Sequence, residues 1–502
     1  MARRFLRDKS PAQCLLTTLP SELLHCVFES LDVHDVVAAR ATCSVLAAIG
    51  IEYMLEEVPL VYKRDRFERL LDIAKHPYLS GKVRSLFFQC DRFTTGESFE
   101  EWQRHIRDPN CPTEYSVVSE YTDEIYEGRR TPRGKRAYAK AHKRYQHGRG
   151  VFTQRQLDTA YQCYLAAAED QQSVAREGLD VTCLKALFDG CQQLDRVTFA
   201  LGSGPMRRSD ALQRAFANTL RSPWGDATKG DEGLTQLSSL AMALCASQHT
   251  LRDLTLTEIS ARAFYPNVLG WEPMAYMTKD LHRLRLELQT CMSEDEELGA
   301  EAILAEMMEC IEDGYLHRML RSATGLRDLK LHFPAAERLG NVAWLGEIFQ
   351  YTTWNKLRKL QLCHVLTVDI DLVALLLRHK KTLQEVDLFY IDLWDGSWED
   401  LFTQIAGQLP RLRRIRLRGV FVNEDNVIEF NFHPAMVTPQ RDAIEQFILK
   451  GGAWPDLEAI SAYEQYPWDV PDYVEPTASH DEDGYSSDGS AEWYESDEFE
   501  RI

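Results

Sequence analysis

Apolar residues recur in one spacing, Leu-x-x-Leu-x-Leu, along most of the chain. In Leu383-x-x-Val386-x-Leu388 they fall at i, i+3 and i+5, which fits neither an amphipathic helix nor a simple alternating strand. Intervals of 31, 26 and 29 residues separate the last four copies. A repeat of this length predicts stacked units that bury their apolar faces against one another. The seven other copies are Val83-x-x-Leu86-x-Phe88, Leu194-x-x-Val197-x-Phe199, Leu251-x-x-Leu254-x-Leu256, Leu281-x-x-Leu284-x-Leu286, Leu326-x-x-Leu329-x-Leu331, Leu357-x-x-Leu360-x-Leu362 and Leu412-x-x-Ile415-x-Leu417.

This spacing resembles the leucine-rich repeat. The resemblance implies an α/β solenoid over residues 61–465, an irregular horseshoe of short parallel strands with helices on its outer face. The 111 residues between the first two copies predict an insertion at about 95–180. The repeats are degenerate, because apolar residues stand where the family usually has Asn or Cys after the strand core: Ile259, Val365, Ile391 and Val420.

Helical periodicity appears between the strand copies and after the last of them. The final helix is predicted to stop at Gly451-Gly452, and Trp454 and Leu457 are predicted to pack on the last repeat as a C-terminal cap. The predicted helices begin near Thr153, Ser209, Leu234, Ser293 and Pro439.

Residues 15–60 show a different pattern, which predicts three short helices. The first carries an apolar stripe, the second starts after Asp32, and the third runs from about Cys43 to Tyr53. Some 40 residues cannot bury so much apolar surface among themselves, so the count predicts a protein partner. The stripe consists of Leu23, Leu24, Val27, Phe28 and Leu31.

The same segment resembles the F-box, on the residues Leu19-Pro20-x-Glu22-Leu23-Leu24, Phe28, Leu31, Asp35-Val36 and Cys43. The resemblance implies docking on the Skp-type adaptor of an SCF ubiquitin ligase and, through the adaptor, on a cullin. In one departure, Leu46 stands where the family often has Trp. The implied adaptor-binding residues are Leu19, Pro20, Leu23, Leu24, Val27, Phe28, Leu31 and Val36.

Two interpretations of the N-terminal helices therefore stay open. In the first, the chain is the substrate-recognition subunit of a ligase, and its repeats bind a client protein. In the second, it is an interaction scaffold without a ligase, and the N-terminal helices simply cap the solenoid. The second interpretation predicts that Leu19, Phe28 and Leu31 are buried within the chain.

Charge is distributed unevenly over the 502 residues, whose formal net charge is -20. Residues 469–502 hold twelve Asp or Glu against one Arg, and with few apolar residues this composition predicts a disordered acidic tail at 466–502. A flexible leader is predicted at 1–14. No apolar stretch is long enough for a membrane span, and Asp8 and Lys9 interrupt any signal-peptide core, so we expect a protein of the cytoplasm, the nucleus or both.

A basic run from Arg129 to Arg149 holds nine Lys or Arg and no acidic residue. It fits a solvated loop, a nuclear-localisation or nucleic-acid patch, or a partner for the acidic tail or an acidic client. The overall acidity disfavours nucleic acid as the main partner.

No catalytic constellation is present in the sequence, and we expect a non-catalytic protein without cofactor or metal. The twelve cysteines lack the spacing of a zinc site. Strand alternation predicts that Cys363 and His364 point to opposite faces, and His332, His364 and His379 are predicted to be satisfied surface or rim residues. Residues between the apolar positions of the strands are the predicted client contacts: Lys330, Arg358, Gln361, Arg413, Arg414, Arg416 and Arg418.

Overall fold

A computed structural model of the chain describes its helices, its sheet and most of their connections. The leader, the basic run, the acidic tail, Asp32, Ser209 and Ser293 lie outside the described residues. The described residues are 19–31, 33–53, 56–93, 95–107, 154–201, 215–220, 223, 233–265, 270–288, 305, 307–334, 343–423, 428–432 and 439–461.

Within these ranges, eleven strands form one sheet, and every copy of the repeated spacing contributes a strand to it. The order is β1-β2-β3-β4-β5-β6-β8-β9-β10-β11, with β7 paired to β8. All pairs are parallel except β10 with β11. The strands are β1 Glu57–Val61, β2 Ser85–Gln89, β3 Arg196–Ala200, β4 Asp253–Ile259, β5 Arg283–Leu288, β6 Asp328–His332, β7 Ala343–Trp344, β8 Lys359–Val368, β9 Glu385–Asp395, β10 Arg414–Val422 and β11 Ile428–Phe432.

Ten of the described helices form one row in which each packs against the next. From α4 the row runs through α7, α8, α9 and onward to α15, in chain order. The helices are α1 Ser21–Glu29, α2 Val33–Arg40, α3 Ser44–Gly50, α4 Arg64–Lys75, α5 Phe99–Arg107, α6 Gln154–Glu177, α7 Leu179–Gly190, α8 Leu234–Ser247, α9 Trp271–Thr278, α10 Tyr315–Ser322, α11 Leu345–Phe349, α12 Asp369–Arg378, α13 Trp398–Ile405, α14 Pro439–Lys450 and α15 Leu457–Ser461. The predicted helices near Thr153, Leu234 and Pro439 are confirmed as α6, α8 and α14.

The apolar positions of the repeat explain why the strands pair in register. Leu329 lies between Leu284 and Leu360 on the neighbouring strands, and all three are fully buried in the main core. A slip by one residue would turn this row of leucines toward solvent, so burial fixes the register. The mixed α/β class and the parallel sheet are thus confirmed, while the horseshoe of leucine-rich repeats stays a prediction.

A left-handed residue follows the strand core at four places. Glu258, His364, Tyr390 and Gly419 have φ of +56°, +57°, +49° and +77°. Each stands two residues after the last apolar position of its repeat, where it interrupts the alternation of side chains along the strand. Because of this interruption, Ile259, Val365 and Ile391 are buried although the family usually has Asn or Cys there.

The region of the predicted insertion contains α5 and α6, which supply most of a second, smaller apolar cluster. Trp102 and Tyr164 are fully buried in it, and Phe93 packs edge-on against Tyr164 at 5.1 Å between ring centroids. After α14, the centroid of the Trp454 ring lies 5.2 Å from that of Phe447 on α14 and 6.5 Å from that of Phe402 on α13.

Candidate functional site

The three N-terminal helices enclose a small core of their own. Leu24 and Phe28 on α1 meet Val36 on α2 and Leu46 on α3, and all four are buried. The Phe28 ring stacks on Tyr53 with 5.9 Å between centroids. We call residues 19–53 the helical module, because these contacts lie within it and not in the main core.

Gly50 allows the third helix to approach the first two closely. A Cβ at this position would lie 2.7 Å from the Phe28 ring and 2.5 Å from Cγ of Arg40. The Arg40 side chain stays in place because its Nε donates to the carbonyl of Ala47 at 3.2 Å. The module therefore depends on a residue without a side chain at its tightest contact.

Polar contacts lie inside the module and between the module and the residues that precede β2. His25 Nδ1 lies 2.8 Å from the hydroxyl of Tyr53, and Glu52 lies 3.4 Å from Nζ of Lys82, which leads into β2. Burial, together with the carboxylates of Glu29 and Glu52, raises the pKa of Tyr53, so its phenol stays protonated and holds this contact near neutral pH.

The outer side of α1 is apolar and open to solvent. Leu19, Leu23 and Val27 follow one another at four-residue intervals, and their exposed fractions are 37%, 51% and 38%. Residues four apart lie on the same side of a helix, so Leu23 and Val27 share one side of α1, and Leu19 is exposed just before the helix begins. Val37 and Val45 on the neighbouring helices are exposed as well, at 47% and 45%. We call these five residues the apolar face.

The structure divides the predicted adaptor-binding residues into two groups. Leu19, Pro20, Leu23 and Val27 are exposed, and Leu31 is half-buried against the module. Leu24, Phe28 and Val36 are 1%, 2% and 1% exposed, and their side chains pack in the core of the module. The scaffold interpretation predicted burial of Leu19, Phe28 and Leu31, and the three differ: Phe28 is buried, Leu31 is half-buried and Leu19 is exposed.

On the sheet, side chains at one register position alternate in charge across seven neighbouring strands. Arg283 on β5 bridges Asp253 at 2.6 Å and Asp328 at 3.1 Å. Glu385 on β9 accepts from Lys359 at 3.0 Å and also from Arg414. We call this row the charge ladder. It consists of Arg196, Asp253, Arg283, Asp328, Lys359, Glu385 and Arg414.

The charges of the predicted client contacts are partly neutralised by neighbours. Lys330 donates to Glu287 at 2.5 Å, and Arg416 lies 4.0 Å from Asp387. Burial raises the pKa of Asp387 in spite of the nearby arginines. The guanidinium of Arg418 lies 5.0 Å from the centre of the Phe389 ring.

The other members of the client set differ in exposure. Arg358 and Arg413 are exposed, and Gln361 is half-buried. Burial acts to raise the pKa of Glu385, but Lys359 and Arg414 lower it overall, so this carboxylate stays charged among its partners.

Cys363 and His364 do not point apart as strand alternation predicted. The left-handed φ of His364 turns its side chain, and one donor atom each from His332, Cys363 and His364 lie within 4.8 Å of one another. The sequence spacing gave no sign of this group, because His332 comes from the neighbouring strand. Imidazole and thiol groups are the ligands that zinc prefers.

His379 is also not a surface residue. It is 2% exposed, its Nε2 accepts from the backbone N–H of Trp354 at 3.1 Å, and its Nδ1 donates to the carbonyl of Leu375 at 2.9 Å. Burial lowers its pKa, so the ring is neutral at physiological pH. This histidine has a structural role.

Comparison with known families agrees with the module. The F-box domain family matches residues 16–49, a segment that contains α1, α2 and most of α3. No curated protein matches the chain. F-box domains generally bind Skp-type adaptors, and the match indicates a protein-interaction role in the ubiquitin pathway. None of the helices in the described ranges has the length and apolar character needed to cross a membrane.

Proposed function

We propose that this protein is the substrate-recognition subunit of an SCF-type ubiquitin ligase. The observation that carries the proposal is the exposure of Leu19, Leu23 and Val27, which lie within the F-box match and stay open to solvent although the module has closed its own core. Apolar side chains arranged in this way are typical of a surface that a partner covers. The partner is a Skp-type adaptor, which connects the chain to a cullin.

We assign contact with the adaptor to the exposed apolar residues of the module. Leu19, Pro20, Leu23 and Val27 are exposed on or next to α1, and Val37 and Val45 extend the same apolar character onto α2 and α3. Leu24, Phe28, Val36 and Leu46 act indirectly, because their packing sets the angles between the three helices.

The client is assigned to the sheet, whose strands we interpret as leucine-rich repeats. Its polar face offers charges in fixed positions, and Arg358 and Arg413 are exposed beside the charge ladder. Fixed charges of both signs contribute more to the specificity of binding than to its affinity, because they favour a partner with complementary charges. A folded protein or an extended peptide matches the length of such a surface.

The chain itself performs no chemistry in this proposal. It holds the client and the adaptor at once, which raises the effective concentration of client lysines near the conjugating enzyme on the other subunits. It acts in the cytoplasm, the nucleus or both.

The test is binding of the purified full chain to a Skp-type adaptor. Leu23→Asp with Val27→Asp places two charges in the apolar stripe, and we expect binding to fall at least tenfold, about 1.4 kcal/mol. The matched control is Ile370→Asp, which changes an exposed apolar residue on α12 and leaves the module intact.

Two results decide between the interpretations. Loss of adaptor binding in the α1 variant, with native affinity in Ile370→Asp, supports the receptor. If the native chain binds no adaptor at all, the scaffold without a ligase is the better description.

A further inference from the structure

Three nitrogen and sulfur side chains converge on the sheet between β6 and β8. His332 and Cys363 are register partners on these adjacent strands, and His364 follows Cys363. One ligand atom from each lies within 4.8 Å of the others. Cys363 is 8% exposed and the two histidines are half-buried, so the group lies at the boundary between core and solvent.

The backbone at His364 is what brings the three together. In a regular strand, Cys363 and His364 would face opposite sides. With a φ of +57°, His364 instead stacks on His332 at 5.6 Å between centroids, with 19° between the ring planes. Tyr390, which has the same left-handed conformation on β9, stacks on the other face of His364 at 4.8 Å and 9°.

We propose that His332, Cys363 and His364 form a zinc site, with one thiolate and two imidazoles as ligands. Tetrahedral zinc holds such donors roughly 3.3 to 3.6 Å apart. The present separations of up to 4.8 Å close to this range by small rotations of the two half-buried rings. A thiolate with two imidazoles selects zinc over the hard cations magnesium and calcium.

Three protein ligands leave the fourth zinc position to water. Binding replaces the S–H bond of Cys363 with an S–Zn bond and releases the proton to solvent. Because binding releases a proton, zinc affinity increases with pH.

The experiment measures metal bound to the full chain after removal of metals with a chelator. Zinc bound at equilibrium is counted by dialysis, and Co²⁺ is used as a spectroscopic probe of thiolate ligation. The native chain should bind one more equivalent than Cys363→Ser and should show a thiolate-to-cobalt charge-transfer band that Cys363→Ser lacks. Cys163→Ser, a half-buried cysteine on α6, is the matched control and should behave as the native chain.

A second variant provides an independent test in case Cys363→Ser does not fold. His364→Asn keeps a residue that tolerates the left-handed backbone but removes the imidazole. It should fold by circular dichroism and lose the same equivalent of zinc. The proposal is overturned if the native chain binds no zinc, or if folded Cys363→Ser and His364→Asn bind as much zinc as the native chain with the same cobalt spectrum.

Discussion

The phenol of Tyr62 donates a hydrogen bond of 2.9 Å to the carboxylate of Asp180, although 118 residues separate the two in the chain. Both side chains are buried, and the contact joins the end of β1 to α7. Burial and the neighbouring carboxylate of Asp180 strongly raise the pKa of Tyr62, so its hydroxyl remains a donor over the physiological pH range.

Tyr62→Phe should therefore destabilise the fold. It leaves a buried carboxylate oxygen without its donor, and we expect the free energy of unfolding to fall by about 1–3 kcal/mol. Urea unfolding followed by circular dichroism measures the change. Tyr78→Phe, at a tyrosine that is 41% exposed, is the control and should have little effect. Equal stability of the two variants would contradict a structural role for this bond.

Gly50→Ala should loosen the helical module. The new methyl group would overlap Phe28 and Arg40, and overpacking of this kind costs about 1–3 kcal/mol. Hydrogen exchange should become faster in α1 to α3 and stay unchanged in the sheet. Gly81→Ala is the control, because its nearest neighbour atom is 3.8 Å away. Unchanged exchange in α1 to α3 would show that the third helix does not pack as described.

His379 should make stability depend on pH. Burial lowers its pKa in the folded state, so the unfolded chain binds more protons below its unperturbed pKa of about 6.5. The stabilisation is complete above that pH and is lost progressively as the pH falls toward the folded pKa. When the pH is lowered from about 7.5 to about 5.5, the free energy of unfolding should decrease less in His379→Gln than in the native chain. Parallel curves would contradict the prediction.

The two faces of a strand should differ sharply in their contribution to stability. Leu329 on β6 is fully buried, and Leu329→Ala should cost about 2–5 kcal/mol. Arg283→Met on the neighbouring strand removes the two ion pairs of a half-exposed side chain and should cost no more than about 1 kcal/mol, less at high salt. Denaturant titrations at low and high salt separate the two effects, and a larger loss for Arg283→Met would contradict the assignment of the faces.

Much of the sheet was predictable because buried apolar residues determine it. All eight copies of the spacing became strands, since each places all three of its apolar residues in the core. The strands β1, β7 and β11 were missed, although Leu55-x-x-Val58-x-Leu60 at β1 and Val427-x-x-Phe430-x-Phe432 at β11 show the same spacing. The left-handed residues were missed as well, because Glu258, His364 and Tyr390 carry side chains and no glycine marks the position.

For the candidate adaptor-binding site, only the segment of the chain was predictable, and not the residues that face a partner. Leu23 and Leu24 are neighbours in one apolar stripe, and the helical period alone does not say which of them faces a partner. The packing of α2 and α3 decides it, since Leu24 enters the module core and Leu23 stays 51% exposed. The approach of His332 to Cys363 and His364 depended in the same way on contacts between strands.

The charge ladder also restricts how such a protein can change its length. Because positive and negative residues alternate from Arg196 to Arg414, deletion or duplication of a single repeat would place two like charges side by side. Like charges on directly paired strands are unfavourable. Gain or loss of two repeats together keeps the alternation intact. For this reason, evolution or design can extend this sheet by two repeats at a time more easily than by one.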